Sequence, residues 1–226
     1  MFSKSAHLYD AIYTSFKNYE MEAERVHAII QEHVPGASTL LDVACGTGLH
    51  LEHLSSHYEA EGVDLDPQML DIARQRLPGV PLTVGGMAEF DLQRSFDAVT
   101  CLFSSIGYLL SAEMLNKGIT NMTRHLRPGG VLIVEPWITP DQWLPKHPEA
   151  VFVDHPSLKI ARMGRMRRRG EHSLLTFHYL VGTKDGVNYF TELHESRLHS
   201  HSEYLACLAS AGLSPEFDPE GLMGRG

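Results

Sequence analysis

The residues best suited to chemistry lie close together. In LLDVACGTGLHL, from Leu40 to Leu51, a carboxylate at Asp42 precedes Gly46 and Gly48, and a second carboxylate, Asp64, follows about twenty residues beyond the turn. Glycines let a turn take positive φ, and without a Cβ they leave room for a ligand at the N-terminus of the next helix. A carboxylate placed as Asp64 is can accept hydrogen bonds from ribose hydroxyls. A purely structural turn would also use glycines, so the neighbouring residues decide. A dinucleotide fingerprint needs a third glycine where Leu51 stands, and a P-loop needs Lys and Ser/Thr where Leu49 and His50 follow Gly48. The expected ligand therefore has a ribose but no gripped pyrophosphate.

The elements around the turn must hold it open. Thr39 to Val43 are apolar and β-branched enough for a buried strand, and Leu49, Leu51 and Leu54 begin a helical spacing expected to run to about His57. Helical segments come earlier, with Tyr9, Ile12, Tyr13 and Phe16, then Val26, Ile29 and Ile30. Later come a strand at 60–64, a helix from Pro67 to about Leu77, a short strand at 82–84, a strand at 96–102, a helix around 112–125 and a strand at 131–134. Such alternation predicts parallel crossovers, with ligands bound at the carboxyl ends of the strands. From about Ala150 the pattern changes to alternating runs. These predict three antiparallel strands with turns at 169–171 and 183–186, then a helix over 202–211 ending at Gly212. The expected division is 1–149 for a helical cap and ligand-binding core, 150–200 for the antiparallel insertion and 201–226 for the return to the core.

The 226 residues suit one α/β core. A net charge of −9, with 21% charged and 43% hydrophobic residues, fits an enzyme and speaks against a nucleic-acid partner. No apolar run approaches the roughly 20 residues that span a bilayer, and the start lacks a signal-peptide pattern, so no membrane partner and a cytoplasmic location are expected. Cys45, Cys101 and Cys207 have no CxxC spacing, and the 14 histidines include no HExxH, so no metal is expected.

Four segments, LLDVACGTG, VDLDPQML, FDAVTC and LRPGGVLIVEPW, in this order and spacing resemble class I S-adenosylmethionine-dependent methyltransferases. The resemblance implies a Rossmann-like α/β sheet of seven strands with helices on both faces, and S-adenosylmethionine lying across the ends of strands 1, 2 and 4. It implies that Asp42 and the backbone of Ala44, Cys45, Gly46 and Gly48 face the methionine part. Tyr19 would reach the methionyl carboxylate, Asp64 the ribose, and Leu65, Met69 and Met87 the adenine. Gly86 stands where such enzymes often carry an aspartate for the adenine amine.

Within that superfamily, YDAIY, CLFSSIGYL, VEPW, AGLSPEF and GRG resemble the TDP-amino-sugar N,N-dimethyltransferases. This likeness implies that Tyr13 and Tyr108 line the amino-sugar pocket as the catalytic pair, with Phe103, Ser104, Glu135 and Trp137 on the acceptor side. Two phosphates would need arginine forks, and Arg165 of the RMGRMRRRG run and Arg225 of GRG are favoured. A homodimer is a further expectation. The resemblance also predicts a strand beginning after Arg225, so the sheet is expected to lack its final strand. Methyl transfer to a neutral amine expels a neutral sulfide, and positioning could supply on the order of 7–11 kcal/mol without a strong base. The alternatives are an O-methyltransferase of a small metabolite, which needs a base for its hydroxyl, and a non-catalytic binding module of the same fold.

Overall fold

The computed structural model describes residues 4–223. At its centre is β1 (Thr39–Val43), buried at all five positions. It is flanked by β2 (Glu59–Asp64) and β4 (Phe96–Cys101), with β3 (Leu82–Val84) and β5 (Leu126–Val134) outside them. All five strands are parallel, in the order β3-β2-β1-β4-β5. The chain moves outward from β1 to β3, then returns to the other side of β1 for β4. The order thus reverses between β1 and β4, and a crevice opens at their carboxyl ends.

Side chains of β1 alternate between two cores, as a strand buried on both faces requires. Leu40 packs with Ala23, Val26 and Ile30 of α2 (Tyr19–His33), Leu51 and Leu54 of α3 (Leu49–Leu54), and Leu70 and Ala73 of α4 (Pro67–Arg76). Leu41 and Val43 pack with Leu115, Ile119 and Met122 of α5 (Ala112–Arg124) and with Tyr204 of α6 (His201–Ser210). Several helix starts are capped in the sequence. Asp66 accepts from the Gln68 N–H ahead of Pro67, Ser111 from the Met114 N–H, and Ser200 forms a capping box with Glu203. Helix α3 stops at Leu54, short of the expected His57, where the hydroxyls of Ser55 and Ser56 donate to the Glu52 and His53 carbonyls and compete with further helix.

The insertion has four antiparallel strands where three were expected: β6 (Glu149–His155), β7 (Leu158–Arg169), β8 (His172–Thr183) and β9 (Gly186–Arg197), paired in sequence order. Strand β6 begins at Glu149, one residue before the expected boundary, and lies between Pro148 and Pro156. Directly opposed residues share a face. Val151, Arg162, Tyr179 and Phe190 form one inward row, and Gly164, Phe177 and Glu192 the next. The inner face packs on α1 (Ala6–Tyr13), whose Leu8, Ile12 and Tyr13 join Val153, Ile160, Phe177 and Tyr179 in a third core.

The parallel sheet has five strands among the described residues, against the seven implied by resemblance. Residues 213–223 form turns and irregular chain. The strand expected after Arg225 lies outside the described residues.

Candidate active site

Three walls meet at the switch point. The first is the turn after β1. Ala44, Gly46 and Gly48 all take positive φ, at 62°, 58° and 77°. Gly48 is the N-cap of α3, and a Cβ there would stand 2.8 Å from Leu77 Cδ1 and 3.3 Å from Ala73 Cβ. A side chain at this position would crowd Leu77 and Ala73 and would be strained at this positive φ. Asp64, at the end of β2, accepts from the Gly46 N–H at 2.8 Å and from the Asp66 N–H at 2.8 Å, so it braces the turn. Burial raises its pKa against those two bonds. Asp42 is buried in the sheet and accepts from the Thr100 hydroxyl at 2.8 Å. Burial pushes its carboxyl up to about 7; Thr100 opposes the rise and Asp64 adds to it.

The second wall follows β4. Phe103 and Ser104 take φ of 51° and 61°, a region that side chains seldom occupy and that here needs outside support. Glu135, at the end of β5, accepts from the Phe103 N–H at 2.6 Å, and the Ser104 hydroxyl donates to the Pro136 carbonyl at 2.9 Å. A 3₁₀ turn over Ser105–Tyr108 continues this wall. Trp137 packs on it so closely that a Cβ on Gly107 would lie 2.9 Å from the Trp137 Cβ.

The third wall is aromatic and comes from the N-terminal helices. Tyr9 and Tyr13 lie with ring centroids 4.4 Å apart, and Tyr13 meets Phe103 edge-on at 5.2 Å. Asp10 accepts from the Thr47 hydroxyl and from Arg76, each at 2.6 Å, which ties α1 to the glycine turn and to α4. Behind this wall, buried Lys17 bonds Glu22, and His50 Nε2 donates to the same carboxylate at 2.7 Å. Burial opposes the charge on Glu22, yet the bonds from His50 and Lys17 outweigh it and hold the carboxyl down at about 2. The Lys17 ammonium lies over the rings of Phe103 at 4.3 Å and Tyr19 at 4.7 Å.

The walls border a cleft of about 340 Å³, its open mouth included. Of the residues expected around a cofactor, Tyr19, Asp42, Ala44, Cys45 and Gly46 line it, together with Phe103 from the acceptor group. Gly48 and Asp64 shape it from behind. Met69 is buried, with its Cε 3.5 Å from where a Gly46 Cβ would be, and exposed Leu65 stands beside Gly86. The Met87 carbonyl accepts from Asn121 at 3.0 Å. Tyr13 and Tyr108 lie deeper, toward the insertion. The hydroxyl of Tyr108 is 3.0 Å from His194 Nδ1.

Three placements differ from expectation in kind. Glu135 spends a carboxylate oxygen on the chain at Phe103. Arg165 is exposed on the outer face of the inserted sheet, opposite Thr176, whereas Arg162 is buried on the inner face with its guanidinium 4.9 Å over the Tyr13 ring. Arg225 lies outside the described residues. Tyr9, Thr47, His50 and Ser105 line the cleft without having been singled out. Tyr9 was recoverable, since it stands four residues before Tyr13 on one helix face.

A positively charged nucleoside fits these walls: a buried carboxyl that a cation would ionise, aromatic faces for a sulfonium and a turn with no Cβ at Gly46 and Gly48. Fold and cleft together define a class I S-adenosylmethionine-dependent methyltransferase. A methyltransferase-domain profile matches residues 40–130. The chain is 40% identical to the dTDP-3-amino-3,6-dideoxy-alpha-D-glucopyranose N,N-dimethyltransferase of Streptomyces fradiae, over 98% of this chain and 88% of that one. Its fold superposes on the crystal structure of Streptomyces venezuelae DesVI with a TM-score of 0.94 at 38% identity, covering 99% of this chain and 96% of that one. The S-adenosylmethionine-bound structure of CalS10, an amino pentose methyltransferase from Micromonospora echinaspora, gives 0.89 at 37% identity, over 97% and 94% of the two chains. The protein belongs to the methyltransferase family that contains these sugar N-methyltransferases.

Proposed function

We propose that this enzyme methylates the amino nitrogen of a nucleotide-linked amino sugar. The full-length likeness to amino-sugar N,N-dimethyltransferases carries the reading. Bound S-adenosylmethionine supplies a methyl group on positive sulfur, whose departure as a sulfide needs no acid. The chain's own task is then to bind the acceptor amine neutral and hold it in line.

The acceptor side is built for that. Burial pushes the pKa of His194 down to about 4, so its imidazole is neutral and its Nδ1 can accept from the Tyr108 hydroxyl. Burial likewise raises the pKa of Tyr13 and Tyr108, and both phenols stay protonated. Such a pocket offers neutral donors and acceptors that orient an amine and does not stabilise it as an ammonium. Asp42 and Tyr19 would hold the methionine part of the cofactor and Asp64 its ribose, with Leu65, Met69 and Met87 around the adenine.

The test is product analysis with a paired panel of nucleotide sugars differing only in an amine or a hydroxyl at the acceptor carbon. Mono- and dimethylated amines are expected, with no turnover of the alcohols. Methylation of the alcohol alone would overturn the reading, and cofactor binding without turnover of either would favour a binding module.

The acting unit is proposed to be a homodimer. On the outer face of the insertion, Phe152, Ala161, Leu180 and Tyr189 form one row across all four strands, and Phe152, Leu180 and Tyr189 are 71%, 49% and 63% exposed. Met163, Val187 and Leu193 extend the apolar face. Four strands about 4.8 Å apart and up to 40 Å long present roughly 750 Å², close to the ~800 Å² per partner of a stable interface.

A further inference from the structure

Three basic side chains are buried among the described residues: Lys17, Arg162 and Arg197. Lys17 has Glu22, and Arg197 has Glu171 and Glu203. Arg162 has no carboxylate oxygen within 4.0 Å among the described residues, and its Nη1 is buried with no hydrogen-bond acceptor. The residue is only 6% exposed, so water does not compensate the charge. A buried, unpaired guanidinium is costly, and an unsatisfied group of this kind in a folded protein calls for a reason.

The surroundings hold the guanidinium in place without neutralising it. It lies 4.4 Å over the Phe177 ring and 4.9 Å over the Tyr13 ring, and it bonds the Tyr13 hydroxyl. The carboxylate of Glu192, on the same face, accepts instead from the Ser5 hydroxyl and the Lys4 N–H. The positive charge also helps keep His194 neutral. The fork is therefore fixed, charged and short of an anionic partner, and it stands on the inner face of the inserted sheet against Tyr13 and Phe177.

We propose that Arg162 is the anchor of an anion subsite that takes a phosphate oxygen of the acceptor's nucleoside diphosphate. A planar fork pre-set between two rings matches a phosphate bidentately and loses little freedom on binding. The proposal rests on the nucleotide-sugar reading above and names which buried group grips the phosphates. Arg165, three residues on, points to the opposite face and takes no part.

Calorimetric titration with thymidine 5′-diphosphate, thymidine and S-adenosylhomocysteine tests this on the wild type, Arg162→Met and Arg162→Lys. The diphosphate should bind the wild type far better than thymidine. It should weaken at least 30-fold in Arg162→Met and about tenfold in Arg162→Lys, while S-adenosylhomocysteine stays within twofold. The melting temperature of Arg162→Met should not fall, because an unpaired buried charge is replaced by an apolar chain of similar volume. A diphosphate Kd within threefold of wild type in Arg162→Met overturns the proposal, as does wild-type binding of diphosphate no tighter than thymidine. Loss of S-adenosylhomocysteine affinity also overturns it, by placing the anion on the cofactor. If Arg162→Met does not fold, Arg162→Lys carries the test. No turnover is involved, so failure here leaves N-methylation standing, and methylation of alcohols alone would leave this titration readable.

Discussion

Asp42 is the residue whose charge should change when the cofactor arrives. Burial raises its carboxyl to about 7 in the folded protein, against about 3.9 in an unfolded chain. Between those values the folded protein holds a proton that the unfolded chain has released, so folding stability falls as pH rises through this window and the penalty is constant above it. A sulfonium ligand favours the carboxylate. Cofactor binding should therefore expel a proton below pH 7, and affinity should rise tenfold or more between pH 5.5 and 7.5 and then level off. Asp42→Asn should bind weakly and without this pH dependence, and should melt higher than wild type at pH 8. A wild-type Kd that is flat across the range would remove Asp42 from the cofactor's charge. The tight turn with Gly46 and Gly48 at positive φ was legible in the sequence, because few residues can take that backbone. Which of Arg162 and Arg165 faces inward was not. Strand β7 carries arginine at 162, 165, 167, 168 and 169, so alternation alone does not say which parity faces inward. The register with β8, which places Arg162 opposite buried Tyr179, decides it.

At the scale of elements, the order of the parallel half followed from capped helices and apolar strands, since cap residues and periodicity are local signals. The strand at Glu149–His155 escaped because two prolines bracket it and only Val153 of its seven residues is buried. Only pairing with β7 makes it a strand. Helix α1 is likewise placed by contacts distant in sequence, chiefly Asp10 with Thr47 and Arg76. This helix carries Tyr9 to the cleft and Tyr13 against Phe103, so its tether is expected to serve binding as well as folding. Asp10→Ala should cost about 1 kcal/mol, modest because Asp10 and Arg76 are partly exposed. The larger effect is local: faster amide exchange across residues 6–13, unchanged exchange in α5, and at least fivefold weaker S-adenosylmethionine binding. Wild-type exchange in α1 would show that its apolar contacts, not this tether, hold the wall.

For the whole molecule, the inserted sheet has two unlike faces. Its inner rows carry Arg162, Tyr179 and His194, and its outer rows carry exposed apolar side chains. An apolar face of this size is rarely left to water, and a second copy of the same face supplies an area equal to its own. In the proposed dimer each protomer would keep its own cleft, since every cleft-lining residue comes from the parallel core and the N-terminal helices. Leu180→Glu and Tyr189→Glu lie side by side on opposed strands and would put charges at the centre of the interface. The double variant should therefore sediment as a monomer where the wild type sediments as a dimer. Its kcat should stay within about threefold, and the outward direction of these side chains should leave the fold intact by circular dichroism. A wild-type monomer at micromolar concentration, or a double variant that still dimerises, would free this face for another role. A monomeric variant that is folded but inactive would mean that the partner completes the site.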